Sequence, residues 1–256
     1  MKMPKYYGYM MVDRKKNHRI YCKCLKQRLY VKVWEGKMKT VIMIPIKLNN
    51  ERVPGKNIKR FADGTPLMSF IQKACLGSKK ADEIYVYCSN PDVKDYLLSG
   101  VTFLKRPSFL DGNTCNCNDI IREFIKQIDA DIYVVSHATG PFTTSENIDK
   151  CIDAVMSGEY DSAFMAKRIQ EFLWQNGTAL NFDIQNFPRT QDLVPIYSET
   201  PGAYVFTRDT FLKYNRRVGI HPFICEVSEI ESRDIDYPED FEIANAIYMS
   251  IVKKRM

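Results

Sequence analysis

Three cations stand in one irregular stretch, Ile44-Pro-Ile-Lys-Leu-Asn-Asn-Glu-Arg-Val-Pro-Gly-Lys-Asn-Ile58: Lys47, Arg52 and Lys56. Pro45 and Pro54 restrict the backbone around them, and Asn49, Asn50 and Asn57 add amide groups. Charge-assisted bonds to phosphate are strong and directional, so cations held in a fixed loop suit a polyphosphate. Neither GxxxxGK[ST] nor GxGxxG occurs here, which excludes a P-loop and a dinucleotide fingerprint. A solvated surface loop would carry the same charges, because Lys and Arg are mostly exposed. Far along the chain, Asp234 and Asp236 stand two apart just before Pro238. In extended backbone such residues point to one side, so both carboxylates can meet one hard cation such as Mg²⁺. An exposed acidic turn ahead of a helix would look alike.

These groups need a scaffold that brings them to one rim. Thr40–Ile44 reads as a buried strand feeding the basic loop, and the carboxyl end of such a strand is where open α/β sheets bind ligands. A helix over 65–76 follows, with Thr65 as N-cap, Pro66 at its first position and Gly77 as its stop. Further strands are expected at 83–88, 101–104, 131–136 and 161–166, with a short helix at 92–98 and helices at 119–128 and 145–156, the last capped by Ser145. This alternation predicts an α/β fold of three layers, a mostly parallel sheet flanked by helices. Residues 168–200 break the rhythm, with Trp174 and several Asn and Gln but no period. They read as an inserted loop or small hairpin, the usual place for a lid or partner contact. A strand at 202–206, a short helix at 208–214, a strand at 222–227 and a helix at 238–252 complete the series.

Composition narrows the class. The 256 residues are 45% hydrophobic and 27% charged, an ordinary globular balance. The net charge of +6 is unevenly placed: residues 1–37 hold 11 of the 37 Lys and Arg but only 2 of the 31 acids. The body, 38–256, is therefore slightly acidic, which argues against a nucleic-acid footprint over the whole chain. Residues 1–37 read as a basic arm, a small hairpin, or sequence upstream of a natural start at Met38, the last being favoured; no role is assigned to them. Eight cysteines without zinc-ribbon spacing, and three histidines, give no structural metal site. Free core thiols and a cytoplasmic location are expected, since no signal peptide or long apolar run is present.

The spacing of the basic loop resembles the opening signature of the sugar-activating cytidylyltransferases, the N-acylneuraminate and Kdo enzymes. Lys47 stands at the first Arg position, Arg52 at the second basic position and Lys56-Asn57 at a Lys-Asn pair, while Asn50 replaces a Ser. Leu104-Lys-Arg-Pro107 is similar to the family's L-R-P element, and Asp111-Gly-Asn-Thr114 with Asp119 to its S-D-T segment. Val135-Ser-His-Ala-Thr-Gly-Pro-Phe142 resembles L-Q-P-T-S-P-L with His137 for Gln, and Glu199-Thr-Pro-Gly-Ala-Tyr204 resembles R-P-N-G-A-I without its Arg. Ser232-Arg-Asp-Ile-Asp-Tyr-Pro-Glu-Asp240 matches S-x-D-I-D-x-x-x-D. The motifs run in family order over most of 38–256.

The resemblance implies a nucleotide-diphospho-sugar transferase-like fold and transfer of CMP from CTP to an acidic α-keto sugar, sialic-acid-like, for surface glycan synthesis. It implies Lys47, Arg52 and Lys56 as the phosphate clamp, and Asp234 and Asp236 as Mg²⁺ ligands. Asn57, Ser89 and Arg106 are then expected at base and ribose, and His137 near the sugar. Arg189, in a P-R-x-Q element, is expected to reach an acidic sugar across a homodimer interface, which makes 168–200 a candidate dimerisation arm. Within the class, Kdo, legionaminic or pseudaminic acid, or a sugar phosphate, are alternative acceptors. A GT-A glycosyltransferase and an inactive nucleotide-sugar sensor are the alternatives outside it.

Overall fold

The computed structural model describes residues 10–12, 19–23, 30–34, 37–112 and 114–255. Met10–Val12 (β1), Arg19–Lys23 (β2) and Tyr30–Trp34 (β3) pair as an antiparallel meander. The remainder of the basic extension, up to residue 36, lies outside the described residues.

The apolar run Thr40–Ile46 (β4) lies inside a seven-stranded sheet. Glu83–Cys88 (β5), Thr102–Lys105 (β6), Ile132–Val135 (β7) and Ser162–Ile169 (β8) follow it in the chain. A two-residue-per-strand hairpin, Trp174–Gln175 (β9) and Thr178–Ala179 (β10), precedes Ile196–Thr207 (β11) and Pro222–Val227 (β12). The spatial order is β12-β8-β11-β7-β4-β5-β6, and only β11 runs against the rest.

Helices cover both faces, as a parallel sheet requires. Leu67–Gly77 (α1) and Ser145–Met156 (α3) pack on the side of Ile42, Ile44 and Ile46, and Cys117–Gln127 (α2) on the side of Val41 and Met43. Arg208–Tyr214 (α4) joins the second layer through Phe211. A third cluster lies beside the sheet, where Pro238–Ile247 (α5) sets Phe241 and Ala244 against Phe61, Leu67 and Phe70. Among the described residues no helix is long and apolar enough to cross a membrane.

Local differences from the sequence reading have simple causes. Pro66 is extended (φ −65°, ψ 145°) and is itself the N-cap, so α1 begins one residue after it and retains Gly77 as its last residue. The cap of α3 is Thr144, whose hydroxyl accepts from the Asn147 amide, in place of Ser145. α2 starts at Cys117 because Asn116 and Asp119 form a reciprocal capping box, and 91–96 winds as a 3₁₀ turn.

The chain builds β4, β5 and β6 outward to one side, then crosses to β7 on the other. The carboxyl ends of β4 and β7 therefore border the topological switch point, where a crevice opens. Beyond the end of β12, β8 and β11 continue as a two-stranded ribbon, pairing Ile169 with Ile196 and Arg168 with Tyr197, and further in a bulge between Glu199 and Tyr204 shifts the register. The aperiodic 168–200 stretch is thus the far part of this ribbon, with the β9–β10 hairpin and an aromatic cluster of Phe172, Phe182 and Phe187.

Candidate active site

A cleft of about 360 Å³ occupies the switch point, and Lys47, Lys56, Asn57, Arg106 and His137 all line it. Lys47 and Lys56 come from the loop after β4, His137 from the residues after β7, and Arg106 from the end of β6. Gly55, left-handed at φ 63°, turns the loop into a short 3₁₀ turn that carries Lys56 and Asn57 inward. The Asn57 amide donates to the Lys47 carbonyl at 2.7 Å, closing the loop on itself. Arg52 lines an adjoining recess of about 190 Å³ that shares Lys47, Asn50 and Lys56 with the cleft.

The aspartate pair meets this loop. Lys56, only 7% exposed, donates from Nζ to the Ile235 carbonyl at 2.5 Å and lies 3.4 Å from Asp236 Oδ1. Arg52 Nη2 reaches the same oxygen at 2.9 Å, and its guanidinium lies 5.2 Å from the Tyr237 ring centre. Ile235 is wholly buried among Phe61, Phe70, Phe142, Phe241 and Tyr248, and its amide donates to the Thr139 carbonyl at 3.0 Å. An apolar plug thus fixes the acids on either side of it. Asp240 is a structural acid: it accepts the amides of Asp236 at 2.9 Å and Tyr237 at 2.7 Å.

Asp234 keeps a solvent-facing edge on a recess of about 140 Å³ shared with Lys167 and Arg233. The protein around it nevertheless strips part of its hydration and raises its pKa; a Thr139 hydrogen bond opposes this, the charge of Asp236 adds to it, and Lys56 opposes it. Two such oxygen donors fit a hard divalent cation. Among the described residues no group of three His, Cys, Asp or Glu could hold a metal ion, so further ligands would come from water or a substrate.

The opposite wall centres on Asp111, a residue the sequence reading gave no role. Its carboxylate takes Arg106 Nη2 at 2.5 Å on one oxygen and Ser89 Oγ at 2.5 Å on the other, while its carbonyl accepts Lys47 Nζ at 2.8 Å. Arg106 is 3% exposed, and its Nε has no hydrogen-bond partner among the described residues. Ser89 reaches the cleft only through Asp111. Burial, then the charges of Arg217 and Lys56, push the His137 imidazole down to about 4, so it is neutral near pH 7.

Arg189 is not brought to the cleft within this chain: it is exposed on the ribbon's far part and pairs with Asp192 at 2.7 Å. Glu199, where the resemblance led to Arg, pairs with Arg217 at 3.2 Å. Cys75, Cys88, Cys151 and Cys225 are free and buried, whereas Cys115 and Cys117 are free and line the cleft. Glu231, also missed, is 6% exposed and accepts from Thr144 and Asn147 at 2.7–2.9 Å, tying the aspartate segment to the start of α3. Asp111, Arg217 and Glu231 each act through partners distant in sequence, and no local pattern marks them.

Comparison with known proteins places this geometry in a family. The family model for cytidylyltransferases matches residues 41–253. An N-acylneuraminate cytidylyltransferase of Oncorhynchus mykiss is 26% identical over 199 residues, 73% of this chain and 46% of that protein. A 3-deoxy-manno-octulosonate cytidylyltransferase of Chlorobium luteolum is 26% identical over 207 residues, 74% of this chain and 76% of the other. The chain spans about half the length of the curated N-acylneuraminate relatives it matches. Among solved structures, a CMP:2-keto-3-deoxy-manno-octonic acid synthetase complexed with CTP superposes with a TM-score of 0.62 at 18% identity, covering 85% of this chain and all of that one. With a basic loop and an acidic pair joined across the switch point of such a sheet, and a family match over more than four-fifths of its length, the chain belongs to the cytidylyltransferase family.

Proposed function

We propose that this chain couples CMP from CTP to an acidic α-keto sugar of the sialic-acid type and releases pyrophosphate. The observation that carries the reading is Lys56, on the wall of a nucleotide-sized cleft, reaching Ile235 and Asp236, while Asp234 is hydrogen-bonded to Thr139 of the same wall. The sugar's anomeric hydroxyl oxygen attacks the α-phosphorus, the α–β phosphoanhydride bond breaks, and the hydroxyl proton is lost. Such a transfer asks the protein for positioning and charge neutralisation more than for covalent chemistry.

In this reading Lys47, Arg52 and Lys56 receive the triphosphate. Asn57, Ser89 and Arg106 receive the base and ribose, an acceptor on the base satisfying the open Nε of Arg106. Asp234 and Asp236 would hold Mg²⁺, which supplies neutralisation of phosphate charge when bound. Neutral His137 contributes hydrogen bonding to the sugar without titrating near pH 7. A homodimer joined through the ribbon, with Arg189 serving the neighbouring site, fits the exposed Trp174, Ile184 and Phe187 there. A cytoplasmic place supplying CMP-sugars for surface glycans completes the proposal.

The test is pyrophosphate release from CTP and from UTP, with Mg²⁺, across N-acetylneuraminate, Kdo, legionaminate and pseudaminate. Release with CTP and one or more of these acids is expected. No release with any of them would refute the proposal.

A further inference from the structure

Just past α4 the chain makes a turn that no motif marks. Asn215 takes a left-handed conformation at φ 53°, and its side-chain oxygen accepts from Arg122 of α2 at 3.2 and 2.8 Å. The turn is thereby pinned to the helix whose first residues border the cleft. The pinned chain then lays Arg217 on β11, with its guanidinium carbon 3.5 Å from the Tyr204 ring centre. Tyr204 donates its hydroxyl to Glu199 at 2.9 Å, and Glu199 takes Arg217 Nη2 at 3.2 Å. The bulge between Glu199 and Tyr204 is what allows one strand to supply both the stacking ring and the carboxylate.

Stacking on one face and pairing at one edge hold a planar guanidinium in one orientation, and Arg carries five N–H donors. Glu199 and the Cys117 thiol are its protein partners, and they leave most of those donors for something else. The side chain is 24% exposed, opening on a recess of about 320 Å³ lined by Asn116, Cys117, Glu199 and Arg216. That recess shares Asn116 and Cys117 with the main cleft. The charge of Arg217 reaches His137 on the cleft wall, as does that of Lys56 from the phosphate side.

In the proposed reading Lys47 and Lys56 in the main cleft serve the triphosphate and Arg106 the base and ribose, whereas Arg217 stands in the recess that opens off its Cys117 end. We propose that Arg217, presented by Glu199 and Tyr204, receives the carboxylate of the acceptor and so sets the preference for an acidic over a neutral sugar. Arg and a carboxylate match as a two-point pair, which also orients the acceptor's neighbouring hydroxyl. This rests on the proposed reading of the cleft, and it places the acceptor at the Cys117 end.

Steady-state turnover of Arg217→Gln and Arg217→Lys tests it, with N-acetylneuraminate, Kdo and their methyl esters as acceptors and CTP affinity measured by calorimetry. The expected result for Arg217→Gln is a rise in the acid's KM of about tenfold to hundredfold, with CTP affinity unchanged within about twofold. The wild-type preference for acid over ester should collapse in Arg217→Gln and survive in part in Arg217→Lys. A merely structural Arg217 would weaken acid, ester and CTP together, and that result would overturn the assignment. Wild-type turnover of an acid whose KM is unchanged in Arg217→Gln would overturn this assignment alone. No wild-type turnover of any acid would overturn it together with the reading on which it rests.

Discussion

Replacing Lys56 by Met keeps the aliphatic stem but removes the buried charge that, beside the more exposed Arg52, joins the basic loop to the aspartate segment. Its hydrogen bond to the Ile235 carbonyl is charge-assisted and buried, a class contributing about 1.5–3 kcal/mol. The contact with Asp236 is weaker, because that carboxylate is 39% exposed and water screens it, leaving about 1 kcal/mol or less. A loss of about 2–4 kcal/mol lowers the melting temperature of a domain this size by roughly 5–15 °C. If Nζ also meets developing phosphate charge, turnover of the folded variant falls about 10²- to 10³-fold, as when one fixed donor to a transition-state anion is removed. Lys59→Met is the control: Lys59 pairs with the 72% exposed Glu242 at 3.6 Å, and its loss is expected to change melting by less than about 1 kcal/mol. Thermal melts and pyrophosphate release, both at one CTP concentration, give the two readouts. A Lys56→Met protein that melts with the wild type, or that melts lower yet turns over fully, would refute the reasoning.

Other substitutions probe the same rim. In metal-free protein the fold holds the Asp234 proton more tightly than an unfolded chain, whose pKa is near 3.8, so stability is lost as pH rises through the raised value. Asp234→Asn should therefore melt higher than wild type at pH 7, lose that gain below about pH 3.8, and lack turnover. Ile235→Ala, emptying the plug among Phe61, Phe70 and Phe241, is expected to cost about 2–5 kcal/mol in urea unfolding. The His137 pKa near 4 lies below its ordinary 6.5, so its contribution to stability is full above pH 6.5 and lost as pH falls toward 4. His137→Asn should flatten that acid limb, and the wild-type rate profile should show no inflection from this group near 6.5. Replacing Trp174 and Phe187 by Ser should reduce the sedimenting mass if the ribbon joins two copies; an unchanged mass would remove the ribbon from the interface.

Much of the fold can be read locally because its strands are short apolar runs bounded by turns. The runs at Thr40 and Glu83 are buried where expected, and the carboxyl end of β4 leads into the basic loop. The antiparallel course of β11 is different. It is set by the ribbon pairing with β8 and by a bulge, neither of which leaves a period in 168–200. Caps shifted by a residue for a related reason: at 144–145 two adjacent hydroxyls compete, and geometry alone chose Thr144. At the site, the cationic loop and the aspartate pair announce themselves by charge and spacing. Their joining does not, because Lys56 and Ile235 are 179 residues apart and tertiary contacts, the Ile235 plug among Phe61, Phe70 and Phe241 and its hydrogen bond to Thr139, bring them together. Asp111 stood only as part of a segment similar to S-D-T, yet it organises Ser89, Arg106 and Lys47 through bonds that no local spacing encodes.

The most direct measurement is mass spectrometry of the product formed from CTP, Mg²⁺ and an acidic α-keto sugar. The account expects a conjugate with the mass of CMP plus sugar less one water, with one pyrophosphate released for each conjugate. CTP consumed without the sugar, or a product retaining a diphosphate, would contradict attack by the sugar on the α-phosphorus.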